Sequence, residues 1–338
     1  MTPKTICGYD LTDVRKSLRE AVGRRDRRAA QRWTAELVAT PGAIGSLWAA
    51  LWLSCETTME GNPTLPILLS QVWANVANSA KAVGAEWAAF RNDEKIRLTV
   101  AEMTSRILDY PRQPIITWPS KEVALYDVST TLDARSSATA DSSIVLSCWS
   151  RNHDSMELRQ LSGHWIDALQ RGDLRISLSI MLWSLLPTTK IQCGSRGPAS
   201  LPTGARASVM WFWFNLGASI LKSLNVHAGW LTMHDVIVEA MTVQYKRWSS
   251  ADRLKILLFW TIQIKAAMSG SVVSWSLGPV AVTDVDLPYK EIAAEIAGGT
   301  IVEQAKEVPK TKQESKQTRV EKQMKEADDQ ILALLGVT

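Results

Sequence analysis

Four histidines and four cysteines are the residues of this 338-residue chain best suited to hold a metal or attack a substrate, and their spacing does neither. His227 and His234 stand seven apart, so one helix could point both the same way. Gly229 lies between them, however, and no cysteine is near. Cys148 and His153 form an isolated pairing, and neither they nor His164 belong to a zinc pattern such as HExxH. Capping or core histidines are the expectation. Nucleophilic catalysis would need a Ser or Cys arranged in space with a His and an acid, and no GxSxG elbow marks such a serine. The neighbouring acids Asp284 and Asp286, and Asp328 and Asp329, fall in polar stretches that read as solvated loop or tail. The nearest glycine-rich loop, Gly194-Ser195-Arg196-Gly197, lacks the lysine that a phosphate loop requires, and no dinucleotide fingerprint occurs. The expectation is therefore no catalytic residue, no metal, no cofactor and no small-molecule substrate.

The elements that would position any other function are helical. An apolar fraction of 46% is ample for a core. The four cysteines (Cys7, Cys55, Cys148, Cys193) are scattered, which suits a reducing compartment better than a disulfide framework. The chain opens on polar residues with charges close behind, unlike a secretory signal. The most apolar run, Val209 to Leu221, is shorter than the roughly 20 residues a spanning helix needs. An intracellular location, in cytoplasm, nucleus or a virion, follows as the expectation, without a membrane.

Leu11, Val14, Leu18, Ala21 and Val22 recur at helical spacing, as do Ala29, Ala30, Trp33, Leu37 and Val38 beyond a turn at Gly23 to Asp26. Pro41-Gly42 ends that helix, and a third runs from Ile44 to Cys55. Helices are predicted at 64–90 (broken or bent near Gly84), 93–108, 205–224, 232–248 and 251–268, with a second block starting near His153 and a loop at 192–204. The fold class is all-α, a multi-helix bundle of helical hairpins with a charged C-terminal tail. The predicted organisation is a helical domain at 1–112, a linker or irregular segment at 113–150, a second helical domain at 151–285, and a tail at 286–338. A short echo at an offset of 147, Ala21-Val22 through Asp26 against Ala168-Leu169 through Asp173, reads either as two halves of like design or as chance.

The charge is concentrated. Net charge is only +4, yet residues 1–32 hold nine Lys or Arg against four acids. Arg15, Lys16, Arg19, Arg24, Arg25, Arg27, Arg28 and Arg32 fall on the first hairpin and form the candidate nucleic-acid surface. A solvated helix face is the plainer reading. Fifteen tryptophans mostly keep core spacing, with Trp33 and Trp248, each beside an arginine, as candidates for an exposed role. After a Lys- and Glu-rich stretch, Ile331, Leu332, Leu334 and Leu335 make an apolar patch suited to docking on a protein partner, or to strapping back on the chain's own fold.

Residues 8–63 carry Gly8-Tyr9-Asp10, then Asp26 with Ala29-Ala30, Trp33 and Glu36-Leu37, then Leu47-Trp48 and Leu51, then Glu56 and Pro63. This run resembles the start of the C-terminal helical collar of RarA-type clamp-loader-like ATPases. Thr57 stands where that family has Asp, and Met59 where it has Gly. The resemblance implies a helical assembly module that oligomerises and is tied to replication, and it carries over no ATPase activity. The expected function is a non-enzymatic assembly or accessory protein of a replication-type nucleoprotein machine, binding nucleic acid, a protein partner or both, as a homo-oligomer. The alternative is a structural subunit of the virion or nucleocapsid type.

Overall fold

A computed structural model describes residues 3–55, 64–83, 87–110, 118–133, 138–186, 189, 191–246, 248–271, 280, 282 and 284–298. Among them the secondary structure is helical throughout, apart from one isolated bridge between Lys4 and Asp10. No described helix is long and apolar enough to cross a membrane. The chain divides into two compact units, one formed by 1–59, 64–113 and 276–320, the other by 60–63, 114–275 and 321–338.

In the first unit α1 (Leu11–Arg24) and α2 (Arg27–Ala39) form an antiparallel hairpin on which α3 (Ile44–Cys55) packs. Asp10 starts α1 by accepting from the Thr12 amide at 2.9 Å, and Val14, Leu18, Ala21 and Val22 form its buried stripe. The long α4 (Thr64–Val83), the short α5 (Trp87–Asn92) and α6 (Glu94–Asp109) complete the core, with Trp48 stacked on Trp73 at 4.9 Å. The helical stretch predicted over 64–90, with its break or bend near Gly84, is two helices, the first ending at Val83 and the second starting at Trp87, and the third helix has the predicted bounds. Residues 3–10 hook back, with Gly8 at φ 86, and the last described helix of the unit, which is α15 (Leu287–Ala297), lies along α2.

The second unit begins with α7 (Lys121–Asp133), a 3-10 turn (Ala138–Asp141) and α8 (Ser143–Cys148). These occupy most of the stretch expected to be a linker. The α7 stretch packs on α10 (Leu174–Leu185) and α8 on α12 (Val209–Ser223). Small polar residues hid this, because Ala124, Val128, Ala140 and Val145 are the few that bury and they are too spaced to show a period. The hairpin of α9 (Met156–Gln170) and α10 is followed by the short α11 (Thr203–Arg206), α12, α13 (Ala228–Gln244) and α14 (Ser250–Met268). Its core is aromatic: Trp165 lies parallel to Trp260 at 6.0 Å and tilted to Trp213 at 5.3 Å, and Phe214 meets Trp260 edge-on at 4.9 Å. Trp248, one of the two candidates for an exposed role, is 2% exposed and belongs to this unit's interior.

Gly217 on α12 is what lets Trp260 lie so close: a Cβ there would sit 2.2 Å from the Trp260 Cζ2. Replacing Gly217 with alanine is expected to destabilise the second unit by about 1–3 kcal/mol through overpacking. Urea unfolding followed by tryptophan fluorescence would register it as a lower midpoint with an unchanged slope.

The echo at offset 147 is a real structural repeat of one corner. In the first hairpin the amides of Arg25 and Asp26 donate to Val22 and Ala21 carbonyls at 3.1 and 2.9 Å. In the second, those of Gly172 and Asp173 donate to Leu169 and Ala168 at 3.0 and 2.8 Å. Each is a Schellman ending with a left-handed residue, Arg25 at φ 57 and Gly172 at φ 75. Each is followed at once by an aspartate whose Oδ1 caps the next helix, Asp26 from the Ala29 amide and Asp173 from the Ile176 amide, both at 3.0 Å.

Candidate nucleic-acid interface

The first corner puts Arg24, Arg25, Arg27 and Arg28 side by side in solvent, where α1 ends and α2 begins. The turn compresses four guanidinium groups into five residues, and the N-terminal end of α2 adds its partial positive charge. Lys16 is exposed one helix turn and more away, while Arg15 and Arg19 are half-buried along α1. Arg32 leaves this surface altogether.

Acids remote in sequence meet two of the four corner arginines. Arg27 pairs with Asp109 at the end of α6, and Arg28 with Glu291 on α15 at 2.8 Å. Lys16 and Arg24 both reach Glu20 at 3.8 Å, and the Arg25 guanidinium donates to the Tyr110 carbonyl at 3.2 Å. The surplus of positive charge read along the chain is therefore largely offset in space. Among the described residues, Arg24 and Arg25 are the cations of the corner that no remote carboxylate holds.

Arg32, one turn on from Arg28, is the centre of a buried ion cluster. Its Nη1 donates to Glu36 at 2.8 Å and its Nη2 to Glu295 of α15 at 2.5 Å. Glu36 is wholly buried and its other oxygen accepts from the Cys7 amide at 3.1 Å. The Tyr9 hydroxyl donates to Glu295, and the Tyr9 ring meets Trp33 edge-on at 5.6 Å. Burial opposes the charge of Arg32, and hydrogen bonds to the two carboxylates more than offset it, so the guanidinium is held above its ordinary range. Burial, reinforced by the charge of Glu36, pushes the Cys7 thiol up to about 12. Burial and the bond to Glu295 do the same to Tyr9. A thiol held that high is protonated at neutral pH and is a poor nucleophile. The cluster fastens three elements, namely the N-terminal hook, α2 and α15.

The residues that carry the family likeness turn out to do this kind of work. Gly8 supplies the positive φ of the hook, Asp10 and Asp26 cap helices, and Ala30, Leu37, Leu47, Trp48 and Leu51 are buried in the first unit. Glu56 and Pro63 lie outside the described residues, as do Ile331, Leu332, Leu334 and Leu335.

What the sequence did not reveal is the acidic side of the interface. Arg28 and Arg32 are four apart on α2, and Glu291 and Glu295 are four apart on α15, so the two pairs meet as rungs of one ladder. That matched spacing was the available signal. At the near end Asp286 pairs with Arg97 of α6 at 2.7 Å, and Arg97 also lies over the Tyr289 ring at 4.1 Å. A cleft of about 310 Å³ opens beside the ladder, between Arg27, Arg28 and Gln31 on one side and Leu287, Pro288 and Glu291 on the other.

The second unit holds a different polar site. Asp154 accepts from both Nη atoms of Arg196, from the Gly194 amide at 2.8 Å and from the Ser150 amide at 2.6 Å, with its side chain fully buried. Burial alone would raise its pKa, but the Arg196 and amide hydrogen bonds win and hold it below the usual carboxylate range. The glycine-rich loop that resembled a phosphate loop is thus tied to a carboxylate. His227 caps α13 through its Nδ1, and His234 is a core residue. Among the described residues no three His, Cys, Asp or Glu side chains gather as a metal would require.

Compared with known proteins, the chain matches no family model, no curated protein and no solved structure.

Proposed function

We propose that this chain is a non-enzymatic assembly or accessory module of a replication-type nucleoprotein machine, and that it holds nucleic acid through the arginine corner of its first hairpin. The observation that carries the reading is the exposed group Arg24, Arg25, Arg27 and Arg28 at the junction of α1 and α2. Among the described residues no acid remote in sequence holds Arg24 or Arg25, so a phosphate competes there with water, with Glu20 and with the Tyr110 carbonyl. The collar likeness supports the same class of function, since several of its matching residues, from Asp10 through Asp26 to Leu37, cap or build this hairpin.

Phosphate contact without base readout makes a definite thermodynamic demand. Binding of labelled single- and double-stranded DNA should weaken steeply with salt and show little sequence preference. Reversing Arg24 and Arg25 to glutamate should reduce the slope of log affinity against log salt by about two and weaken binding at low salt by tenfold or more, to order of magnitude. Equal affinity of the wild type and the double variant at low salt overturns the assignment of the corner.

A further inference from the structure

The ladder that neutralises the basic face has the form of a cover rather than of a core. Its acids, Asp286, Glu291 and Glu295, are all on or next to α15, and their partners Arg97, Arg28 and Arg32 all belong to the helices beneath. The apolar grip is small by comparison. Ile292 is the one residue of α15 that is fully buried, in a satellite cluster of Cys7, Ala35 and Ala39 with Ile6, Tyr9 and Tyr289 around it. Leu287 and Ile296 of the same helix stay exposed at 45% and 46%. Asp286 makes no side-chain cap for α15, and eleven residues are too few for a helix that is stable in isolation. Two of the three ion pairs have a member that is more than half exposed, the kind of pair that contributes little and weakens in salt. The cleft beside Arg27 and Arg28 also leaves one edge of α15 unsupported by α2.

We propose that α15 is a self-inhibitory acidic strap: it occupies the α2 face with carboxylates set at the spacing of the arginines, and it lifts before that face holds a polyanion. The inference rests on the nucleic-acid reading above and adds its regulation. While docked, α15 sets a carboxylate on each of Arg28, Arg32 and Arg97. When it lifts, Arg28 and the Nη1 of Arg97 lose their acids and are open to phosphate, with Arg97 held in place by the Arg91 carbonyl and Asn92, whereas Arg32 keeps Glu36 as its partner. Lifting also uncovers Cys7, whose thiol lies under Ile292 in the satellite cluster, and this gives a readout that is independent of any ligand.

The test uses the full chain and two substitutions at the apolar anchor, Ile292→Asp and Ile292→Ala. The first makes the protein more acidic, so tighter polyanion binding in it cannot come from added positive charge. The second introduces no charge, and far-UV circular dichroism confirms that both remain folded. Alkylation of Cys7 by iodoacetamide, read by peptide mass spectrometry, reports lifting. Fluorescence anisotropy of a labelled oligothymidylate, at several salt concentrations, reports binding. The expected result is Cys7 alkylation faster by about tenfold or more in Ile292→Asp and by less in Ile292→Ala. Oligothymidylate should bind about tenfold more tightly at low salt, with a salt slope steeper by roughly one to two, as the release of Arg28 and Arg97 requires. Faster alkylation with unchanged affinity overturns the strap and leaves the arginine corner standing. Unchanged alkylation in both variants overturns it too, because Ile292 then does not hold α15 down. Binding by none of the three proteins overturns the nucleic-acid reading itself.

Discussion

Replacing Asp154 with alanine is expected to cost the second unit about 3–5 kcal/mol, among the largest effects a single substitution can have here. The carboxylate is fully buried and receives both Nη atoms of Arg196 together with two backbone amides. Without it, Arg196 stays in place with its side chain only 14% exposed, uncompensated by any acid. The Gly194 and Ser150 amides lose their acceptor as well, and the 192–197 loop keeps only its Ser155–Gln192 and Arg196–Cys148 backbone-carbonyl ties to the α8–α9 junction. Thermal unfolding by circular dichroism should move down by roughly 10 °C. The double variant Asp154→Leu with Arg196→Met removes both charges and should recover much of the loss, because a buried pair replaced by apolar groups is far less costly than a pair broken on one side. Recovery absent in the double variant would mean that shape, not charge, fixes this corner. The pH signature has a definite sign. The folded-state pKa of Asp154 is depressed, so its contribution is fully present above about pH 4 and is lost as pH falls through the lower folded value.

The second large effect is a loss of stability on mild acidification that traces to one histidine. His234 is buried beneath the aromatic cluster, and its Nδ1 accepts from the Trp260 indole N–H at 3.0 Å, which fixes the neutral ring with its proton on Nε2. Burial, with a smaller contribution from the charge of Lys222, lowers its pKa from 6.5 to about 4. The unfolded chain therefore takes up a proton that the folded unit refuses. Stability from this residue is complete above about pH 6.5 and drains away as pH falls toward 4, by roughly 3 kcal/mol in all. Urea titrations at pH 7.5 and pH 4.5 should show this loss in the wild type. His234→Gln, which keeps an acceptor for Trp260 without titrating, should flatten the difference by about that amount. An identical pH dependence in the variant would assign the acid sensitivity to other groups.

The sequence and the fold agree where the determinants are local. Asp26 and Asp173 mark the two corners because a helix cap is a matter of four consecutive residues, and the echo between them survives as the same hydrogen-bond pattern. The bounds of α3 follow from a dense apolar run closed by Pro41-Gly42 on one side. Agreement fails where partners are distant. Nothing near Arg27, Arg28 or Arg32 in sequence announces Asp109, Glu291 and Glu295, so a neutralised face reads as a basic one. Trp248 shows the same failure in another form: flanking cations suggested exposure, yet it is buried in the interior of its unit. The small-residue stretch around α7 and α8 misled because burial there depends on what packs over it, not on its own hydropathy.

The twin corners differ at one position, and the difference has a cost. Gly172 takes its left-handed backbone freely, whereas Arg25 takes nearly the same one at about 1–2 kcal/mol because its Cβ crowds the following carbonyl. The second unit thus displays the unstrained version of a turn that the first unit builds under tension. If the proposed phosphate-binding role holds, Arg25 is the position where stability and binding pull in opposite directions.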